Sequence, residues 1–335
     1  MNERDLVLVT VTYGSRGHLL GELLSRTLGL GGVSHAVVVD NNSASNLNDL
    51  ANLWGSRLTI VKLGANKGSA EGYGAGIRVA LQKGALRLWL MDDDNAPKAG
   101  TAEYLVGALD GLAENVGKEN AMVIGNRRNM SNILSGEARP FPRSSSFMGF
   151  HIADIPNKII RHMKRSPRVV HDGLVPEIPE VMMPYAPYGG LMAYRDAFVR
   201  LGYPCGDFVL YADDMEYTSR FTRLGGRIKF VRHAAIDDLE PSWHWEEPCA
   251  NSFIAQLKGG GAFRIYYTFR NHTWLYRYRL ATSKIMYSIN KYVYLLILWI
   301  FALWMGKCAR FREIRRAIAD GEAKRLGINP MFPLP

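Results

Sequence analysis

The sequence predicts an α/β fold, in which a mostly parallel central sheet is flanked by helices and followed by a helical C-terminal region. Over the first 125 residues, short runs rich in Val, Ile and Leu alternate with helical patterns. Several of these runs end directly on polar or acidic residues, and parallel sheets bind ligands beyond the carboxyl ends of their strands. From residue 251 onward the sequence is helical and basic.

The N-terminal part reads as strands and helices in alternation. Strands are predicted at Leu6–Thr12, Ser34–Ser43, Ser56–Leu63, Ala85–Asp94 and Ala121–Asn126, and helices at Gly17–Leu30, Gly68–Gly84 and Thr101–Leu112. Such alternation predicts right-handed βαβ units and hence a parallel sheet. The strand ends Thr12-Tyr13, Asp40-Asn41-Asn42 and Asp92-Asp93-Asp94 would then face one crevice.

The second half is less regular at first. Residues 130–184 are rich in Ser, Pro and Arg and are interpreted as a variable acceptor-side insertion within a first domain, 1–250. Its basic stretch Asn157–His171 is either a solvated insertion or a mobile loop that contacts phosphate or a lipid headgroup. Regular patterns then return as a strand and short helix in Tyr185–Pro204, a helix in Tyr211–Gly226 and a strand in Arg227–Ile236. A second region, 251–335, is predicted to be helical, basic and membrane-associating.

Composition limits the possible function classes. With 335 residues, 47% of them hydrophobic, the chain is long enough for one large or two smaller α/β domains, and global disorder is excluded. The net charge of +10 indicates an anionic partner, but no nucleic-acid-binding motif is present. The three cysteines are far apart, which argues against a disulfide framework or zinc site. The N-terminus does not resemble a signal peptide, so we expect a cytoplasmic protein.

One apolar segment complicates that expectation. Tyr292–Met305 is too short for a membrane span, which needs about 20 residues, and widening it to Ile285–Gly306 admits Ser288, Asn290 and Lys291. Basic residues flank it on both sides. An interfacial helix on the anionic inner face of the cell membrane fits this pattern. A buried helix or oligomer contact and a true span are the alternatives.

The acidic triplet Asp92-Asp93-Asp94 follows a buried strand. Three adjacent carboxylates repel one another unless a cation is bound, and Asp92 and Asp94 can turn toward the same ion. Hard oxygen ligands suit Mg²⁺ or Mn²⁺, usually with phosphate oxygens completing the coordination. The alternative for an acidic cluster alone is a solvated turn or a helix cap.

A glycine-rich segment opens the helix after the third strand. Asn66, Lys67 and the first backbone N–H groups of this helix would suit an anion, whereas the alternative is a tight strand–helix turn. Neither the GxGxxG pattern nor a P-loop is present, which disfavours dinucleotide oxidoreductases and P-loop enzymes.

Two further groups carry candidate chemistry. Asp213-Asp214 stands at a predicted helix start, where it either caps the helix or supplies a general base. His244, between Trp243 and Trp245, is either structural or a metal ligand beside a sugar-stacking wall.

The order of these motifs resembles that of the large inverting family of GT-A glycosyltransferases, of the family 2 type. The resemblance runs from about Leu6 to Trp245 through VTVTYGS, VVVDNNS, GANKGSAEGYGAGI, WLMDDDN, YGGLMAYRDAFVRLGYP, YADDMEYTSRFTRLGG and SWHWEE. The triple Asp, paired Asp and Trp-His elements are most similar to bacterial galactofuranosyltransferases. The tail motifs YYTFRN and IADGEAKRLG are similar to rhamnosyltransferase-like members.

The resemblance implies a Rossmann-like GT-A domain and a role for each matching position. Asp40 would bind uracil, the backbone at Thr12 would support the base, and Asp92 would lie near the ribose and metal. Asp94 and His244 would complete a Mn²⁺ or Mg²⁺ site. Asp214 would be the catalytic base, and Asp213 would hold sugar hydroxyls. The remaining implied nucleotide-sugar contacts are Asn66, Lys67, Asp93, Gly189, Gly190 and Trp243.

The implied reaction moves galactofuranose from UDP-galactofuranose to a lipid-linked or cell-surface glycan. No QxxRW element of processive synthases follows Gln256, which favours adding one or a few sugars. Three alternatives stay open: a rhamnosyltransferase using dTDP-rhamnose, a sugar-phosphate nucleotidyltransferase, and a non-catalytic glycan- or membrane-binding protein. An oligomer is also possible.

Overall fold

The computed structural model describes residues 5–29, 32–127, 130, 141–156, 181–240 and 252–335. The chain forms two compact units. Unit 1 contains residues 1–134, 180–241 and 327–335, and unit 2 contains residues 135–179 and 242–326.

Unit 1 is built on one mixed nine-stranded sheet. Its strands are β1 (Leu6–Gly14), β2 (His35–Ser43), β3 (Leu58–Lys62), β4 (Arg87–Asp92), β5 (Asn95–Pro97), β6 (Ala121–Arg127), β7 (Met182–Met183), β8 (Leu191–Tyr194) and β9 (Arg227–Asp238). The order is β3-β2-β1-β4-β8-β6-β9-β5, with β7 paired to β9. The first four strands in this order are parallel, as predicted, whereas β8 runs antiparallel between β4 and β6.

In the part of unit 1 that the structure describes, six helices lie among these strands. They are α1 (Gly17–Leu24, continued by a π-helical turn at Ser25–Gly29), α2 (Asn48–Trp54), α3 (Gly68–Gln82), α4 (Thr101–Val116), α5 (Arg195–Leu201) and α6 (Asp213–Arg223). Short 3₁₀ turns occupy Gly55–Arg57, Lys118–Asn120 and Gly206–Phe208. All the helices and strands predicted for this part are present, and α2, β5 and β7 were not predicted.

Strand β1 shows why both faces of the sheet are apolar. Leu6 and Leu8 belong to the core that includes α1 and α4, whereas Val9 and Val11 point to α3 on the other face. The approach of α3 is close, since a Cβ on Gly72 would lie 2.7 Å from Val11 and one on Gly76 would lie 2.5 Å from Val9. The glycines after Gly68 therefore allow helix–sheet packing.

Unit 2 is helical in the part that the structure describes. Its helices are α7 (Ser252–Lys258), α8 (Ala262–Leu275, followed by a π-helical turn at Tyr276–Leu280), α9 (Lys284–Trp304) and α10 (Cys308–Glu322), with a 3₁₀ turn at Ile152–Asp154. The predicted helical C-terminal region is thus confirmed. Helices α8 and α10 pack so closely that a Cβ on Gly321 would lie 2.3 Å from the carbonyl oxygen of Arg270.

Candidate active site

The carboxyl ends of three parallel strands lie side by side. In the strand register Thr12 of β1 is paired with Asp40 of β2, and Val11 of β1 is paired with Asp92 of β4. The three strand ends predicted to share a crevice therefore meet at one edge of the sheet, with β1 in the middle.

Asn41 links the end of β2 to the start of α3. Its buried side chain donates to Asn66 Oδ1 at 3.0 Å and to the carbonyl of Gly68 at 3.2 Å, and it accepts from the backbone of Lys67 at 2.8 Å. Asp40 beside it accepts from the backbone of Ser43 at 2.7 Å. Asn41 thus fixes the loop that carries Asn66 and Lys67, and only its place after Asp40 could have indicated this role from the sequence.

The N-terminus of α3 uses several of its own N–H groups. Gly68 N donates to Asn66 Oδ1 at 3.1 Å, and Ala70 N donates to the carbonyl of Val209 at 3.2 Å. Together with the bond from the Lys67 backbone to Asn41, these contacts occupy N–H groups that the sequence interpretation offered to an anion. The side chain of Lys67 is exposed.

The acidic triplet is neutralised by two arginines. Arg127, at the end of β6, contacts Asp92 at 2.8 Å and Asp238 at 2.7 Å. Arg16 contacts Asp93 at 2.7 Å and Asp94 at 2.9 Å. The two guanidinium groups thus offset the mutual repulsion of the three carboxylates in this structure.

Burial dominates the electrostatics of the triplet. It raises the pKa of Asp93 to about 7, although the charge of Arg16 opposes the shift. Burial and then the charge of Asp92 also raise the pKa of Asp94. Keeping these buried carboxylates charged therefore costs free energy, and a bound cation would lower that cost.

Arg16 and Arg127 were not among the predicted site residues. Arg16 also pairs with Glu240, so one guanidinium joins three carboxylates from two parts of the chain. The only sequence signals were its place just after the end of β1 and the place of Arg127 just after a predicted strand.

Two of the three predicted metal ligands, Asp92 and Asp94, lie among the residues that the structure describes. Among the residues that the structure describes, no three His, Cys, Asp or Glu side chains are grouped so as to hold a metal ion. His244 and Trp243 lie outside the described residues, as does the basic stretch Asn157–His171. Asp92 and Asp94 still fit a hard divalent cation by their chemistry, because both present carboxylate oxygens on one short loop.

The acid pair begins α6 and is held by α3. Ser69 Oγ donates to Asp213 Oδ2 at 2.9 Å, and Asp214 Oδ1 accepts from the backbone of Met215 at 2.7 Å. Asp213 is buried and Asp214 is partly exposed. The N-cap residue is Ala212 and makes no side-chain cap, so the two acids occupy the first helical turn.

Both acids of the pair have raised pKa values. Burial first, and then the charge of Asp214, raise the pKa of Asp213, whereas the bond from Ser69 lowers it. Burial also raises the pKa of Asp214, and the charge of Asp92 adds to the shift. The pair and the triplet therefore belong to one electrostatic site.

The backbone that leads to the acid pair is strained. Val209, Tyr211 and Ala212 have φ values of 67°, 64° and 58°, which non-glycine residues rarely adopt. The N–H of Leu210 donates to the carbonyl of Phe208 at 2.8 Å, which closes a γ-turn around Val209. Strained backbone of this kind is concentrated at functional sites.

Gly189 lies against the acidic triplet. A Cβ at this position would lie 2.2 Å from Arg127 Nη1 and 2.5 Å from Asp92 Oδ2. Gly190 has a φ of 98° and donates its N–H to the carbonyl of Leu90 at 2.8 Å. Gly189 therefore borders Asp92 because no side chain fits there, whereas Gly190 packs against Ile236 beside the end of β4.

Comparison with known proteins places the fold. A family model described as "Glycosyl transferase family 2" matches residues 7–151. The structure of GalNAc-T7 with UDP, GalNAc and Mn²⁺ is similar with a TM-score of 0.51 and 12% identity, covering 82% of this chain and 48% of that one. The mannosyltransferase PcManGT from Pyrobaculum calidifontis, in complex with GDP-Man and Mn²⁺, gives 0.50 and 15%, covering 97% and 76%. No curated protein matches.

The fold is GT-A-like. The predicted fold class is thus confirmed, with a mixed sheet, flanking helices and a helical C-terminal region. The chain spans about half the length of the GalNAc-T7 structure. The family match contains the acidic triplet but ends before the acid pair.

Proposed function

We propose that this protein is a metal-dependent inverting glycosyltransferase that moves a sugar from a nucleotide diphosphate to a glycan hydroxyl. The observation that carries the proposal is the double contact of α3. Ser69 in its first turn bonds Asp213, and Tyr73 one turn later donates to Asp92 at 2.8 Å. One helix thus fixes both the carboxylates suited to a metal–diphosphate and those suited to an acceptor hydroxyl.

The family match and the fold support a nucleotide-sugar donor. GalNAc-T7 was solved with UDP and PcManGT with GDP-Man, so the two neighbours bind different nucleotides. For this chain we favour UDP-galactofuranose, because the triple Asp, the paired Asp and the Trp-His element resemble those of galactofuranosyltransferases. The acceptor we propose is a lipid-linked or cell-surface glycan.

Asp92 and Asp94 would hold the divalent cation, with His244 as a further ligand. When bound, Mn²⁺ or Mg²⁺ supplies positive charge that stabilises the departing diphosphate. Both similar structures contain Mn²⁺, and carboxylate oxygens together with phosphate oxygens are the ligands that such ions prefer.

Asp214 would act as the general base. The acceptor oxygen attacks C1 of the sugar from the face opposite the diphosphate, so the C1–O(acceptor) bond forms as the C1–O(phosphate) bond breaks. The hydroxyl proton passes to Asp214, and the configuration at C1 is inverted. A carboxylate whose pKa is raised toward the working pH accepts a proton more effectively than an ordinary surface Asp.

Calorimetric titration of UDP into the purified protein, with and without Mn²⁺, tests the proposal. We expect binding that requires Mn²⁺ and is abolished in Asp94→Ala. The matched control is Asp49→Asn, which removes an exposed carboxylate of the same unit and should bind UDP like the wild type. Equal binding by wild type and Asp94→Ala would contradict the assignment of the triplet.

Donor nucleotides distinguish the candidate reactions. Binding of dTDP in place of UDP would favour the rhamnosyl alternative, and binding of GDP would favour a donor like that of PcManGT. Binding of no nucleotide diphosphate, with or without Mn²⁺, would overturn the transferase proposal. Transfer from UDP-galactofuranose that is lost in Asp214→Asn, with UDP binding retained, would establish the role of the base.

A further inference from the structure

Helix α9 of unit 2 presents an apolar face to solvent. Ile285 is 76% exposed, Leu296 is 54% exposed and Trp304 is 75% exposed. The full set is spaced along one face of the helix: Ile285, Ile289, Tyr292, Leu296, Trp299, Ile300, Leu303 and Trp304. A continuous exposed row of this size marks an interaction surface.

The opposite face of α9 is buried and carries polar groups. Asn290 donates to the carbonyl of Ser145 at 2.9 Å and accepts from the backbone of Ile152 at 3.0 Å. Lys291 contacts Glu322 at 2.7 Å, and the Tyr294 hydroxyl donates to Gln256. These partners belong to other segments of unit 2, so the polar face of α9 is committed to the protein.

These contacts decide between two modes of membrane contact. By length and composition α9 is able to cross a membrane, since its most apolar 18-residue stretch has a mean hydropathy of 1.5. A third of that stretch is buried within the protein. A crossing orientation would carry Asn290, Lys291 and their partners into hydrocarbon, where polar and charged groups are costly. An orientation along the surface immerses only the apolar face.

The charge around α9 indicates the kind of surface that this helix would contact. Residues 252–326 contain 14 Lys and Arg against three Asp and Glu, so this segment accounts for the whole net charge of +10 of the chain. The three acids are already paired: Glu313 with Arg310, Asp320 with Arg325, and Glu322 with Lys291 and Arg277. Several basic side chains stay exposed beside α9, namely Lys284, Lys307, Arg312, Arg315 and Arg316. A polyanionic surface matches this charge.

We propose that α9 docks unit 2 onto an anionic lipid bilayer, lying along its surface with the Ile285–Trp304 face in the acyl-chain boundary. The basic side chains at both ends of α9 and on α10 contact lipid headgroups. Trp299 and Trp304 suit this depth, because indole rings favour the membrane interface. A second copy of this chain is a poorer partner, because it would bring the same positive charge to the same face.

Vesicle flotation of the full chain tests the docking surface. The probe is phosphatidylcholine vesicles with about one third phosphatidylglycerol, compared with phosphatidylcholine alone. We expect Leu296→Ser/Ile300→Ser/Trp304→Ser to lower the partition coefficient by about tenfold or more, because three apolar side chains leave the bilayer. The matched control Leu53→Ser/Val199→Ser/Met331→Ser changes three equally exposed apolar residues of unit 1 and should partition like the wild type.

Two results would overturn the proposal. One is unchanged partitioning of the α9 triple variant into the anionic vesicles. The other is a dimer in lipid-free solution, by light scattering, that the triple variant dissociates, since the face would then be covered by a second copy. Neither result depends on nucleotide binding, so the docking proposal and the transferase proposal fail separately.

Depth measurements distinguish surface docking from a span. A fluorophore is placed in turn at Ile289→Cys, Leu296→Cys and Leu303→Cys, in a background with Ser at Cys205, Cys249 and Cys308. Lipids that quench at known depths then report the position of each label. Surface docking predicts the same shallow depth at all three positions, whereas a span predicts that position 296 is deepest and would overturn the in-plane orientation.

Discussion

Ser69 Oγ donates a 2.9 Å hydrogen bond to Asp213 Oδ2, across 144 residues of sequence. Four positions later on the same face of α3, Tyr73 donates to Asp92. The start of one helix therefore sets the spacing between the acid pair and the acidic triplet. Any movement of α3 would disturb both groups together, which makes its first two turns the structural link of the candidate site.

Replacing Ser69 with Ala should shift the pH dependence of transfer. The serine bond stabilises the charged form of Asp213 and lowers its pKa, so its loss raises that pKa further. Because Asp213 and Asp214 titrate as a pair, the pH at which both are charged rises, and we expect the acidic limb of the pH–rate profile to move up by about one unit. Ser25→Ala, which removes a hydroxyl that donates to the carbonyl of Gly21 one turn earlier, is the control. An unshifted profile would show that the bond does not tune the pair.

Asp213 should lower the stability of the fold at neutral pH. Its folded pKa is raised by burial, so the folded state holds the proton more tightly than the unfolded state. Stability is then greatest below the unfolded pKa of about 4 and falls as the pH rises through the folded pKa. Asp213→Asn escapes this loss, and its Tm should exceed that of the wild type by about 2–4 °C at pH 8.

The same comparison at pH 4 provides the internal check. There the wild-type carboxyl is protonated in the folded state, so the two Tm values should converge. The exposed Asp237→Asn should show no such pH-dependent gain, because it relieves no buried charge. A gain for Asp213→Asn that is equal at both pH values would mean that ionisation is not its cause.

Gly189→Ala should disrupt the contact of Arg127 with Asp92. The added methyl would lie within 2.5 Å of atoms from both side chains, and overpacking of this kind costs about 1–3 kcal/mol. We expect lower stability by denaturant unfolding together with weaker binding of UDP and Mn²⁺. Gly107→Ala on α4 is the control, because a Cβ there would have no neighbouring atom within 4 Å. This substitution should stabilise the helix slightly, since Ala favours helices more than Gly does. Wild-type stability in Gly189→Ala would show that the site adjusts freely.

The sequence predicted those features that depend on local pattern. Apolar runs ending on polar residues located β1, β2 and β4, and their parallel arrangement brought Thr12, Asp40 and Asp92 together as expected. Asn290 and Lys291 were seen only as interruptions of an apolar run. In the structure they mark the buried face of α9, which no linear count could identify.

Long-range ion pairs were beyond sequence reasoning. Arg127 reaches Asp238 across 111 residues and Arg16 reaches Asp93 across 77, so neither pair leaves a periodic trace. The glycines at positions 72 and 76 follow the segment that was interpreted as an anion site, and the sequence assigned them no packing role. Their space is taken by Val11 and Val9, because the distance between α3 and the sheet is set by the completed fold.

The guanidinium of Arg16 supplies positive charge to Asp93, Asp94 and Glu240, as a bound metal ion would. Without Arg16, the stability of the fold should depend on added metal. Arg16→Gln leaves these carboxylates without their shared guanidinium, which should cost roughly 2–3 kcal/mol in EDTA. A divalent cation at Asp94 would relieve the same repulsion. We therefore expect Mn²⁺ to raise the Tm of Arg16→Gln by more than it raises that of the wild type. Arg26→Gln, which loses a helix-surface pair with Glu22, should respond like the wild type. Equal Mn²⁺ shifts in Arg16→Gln and wild type would mean that the metal does not compete with Arg16 for these carboxylates.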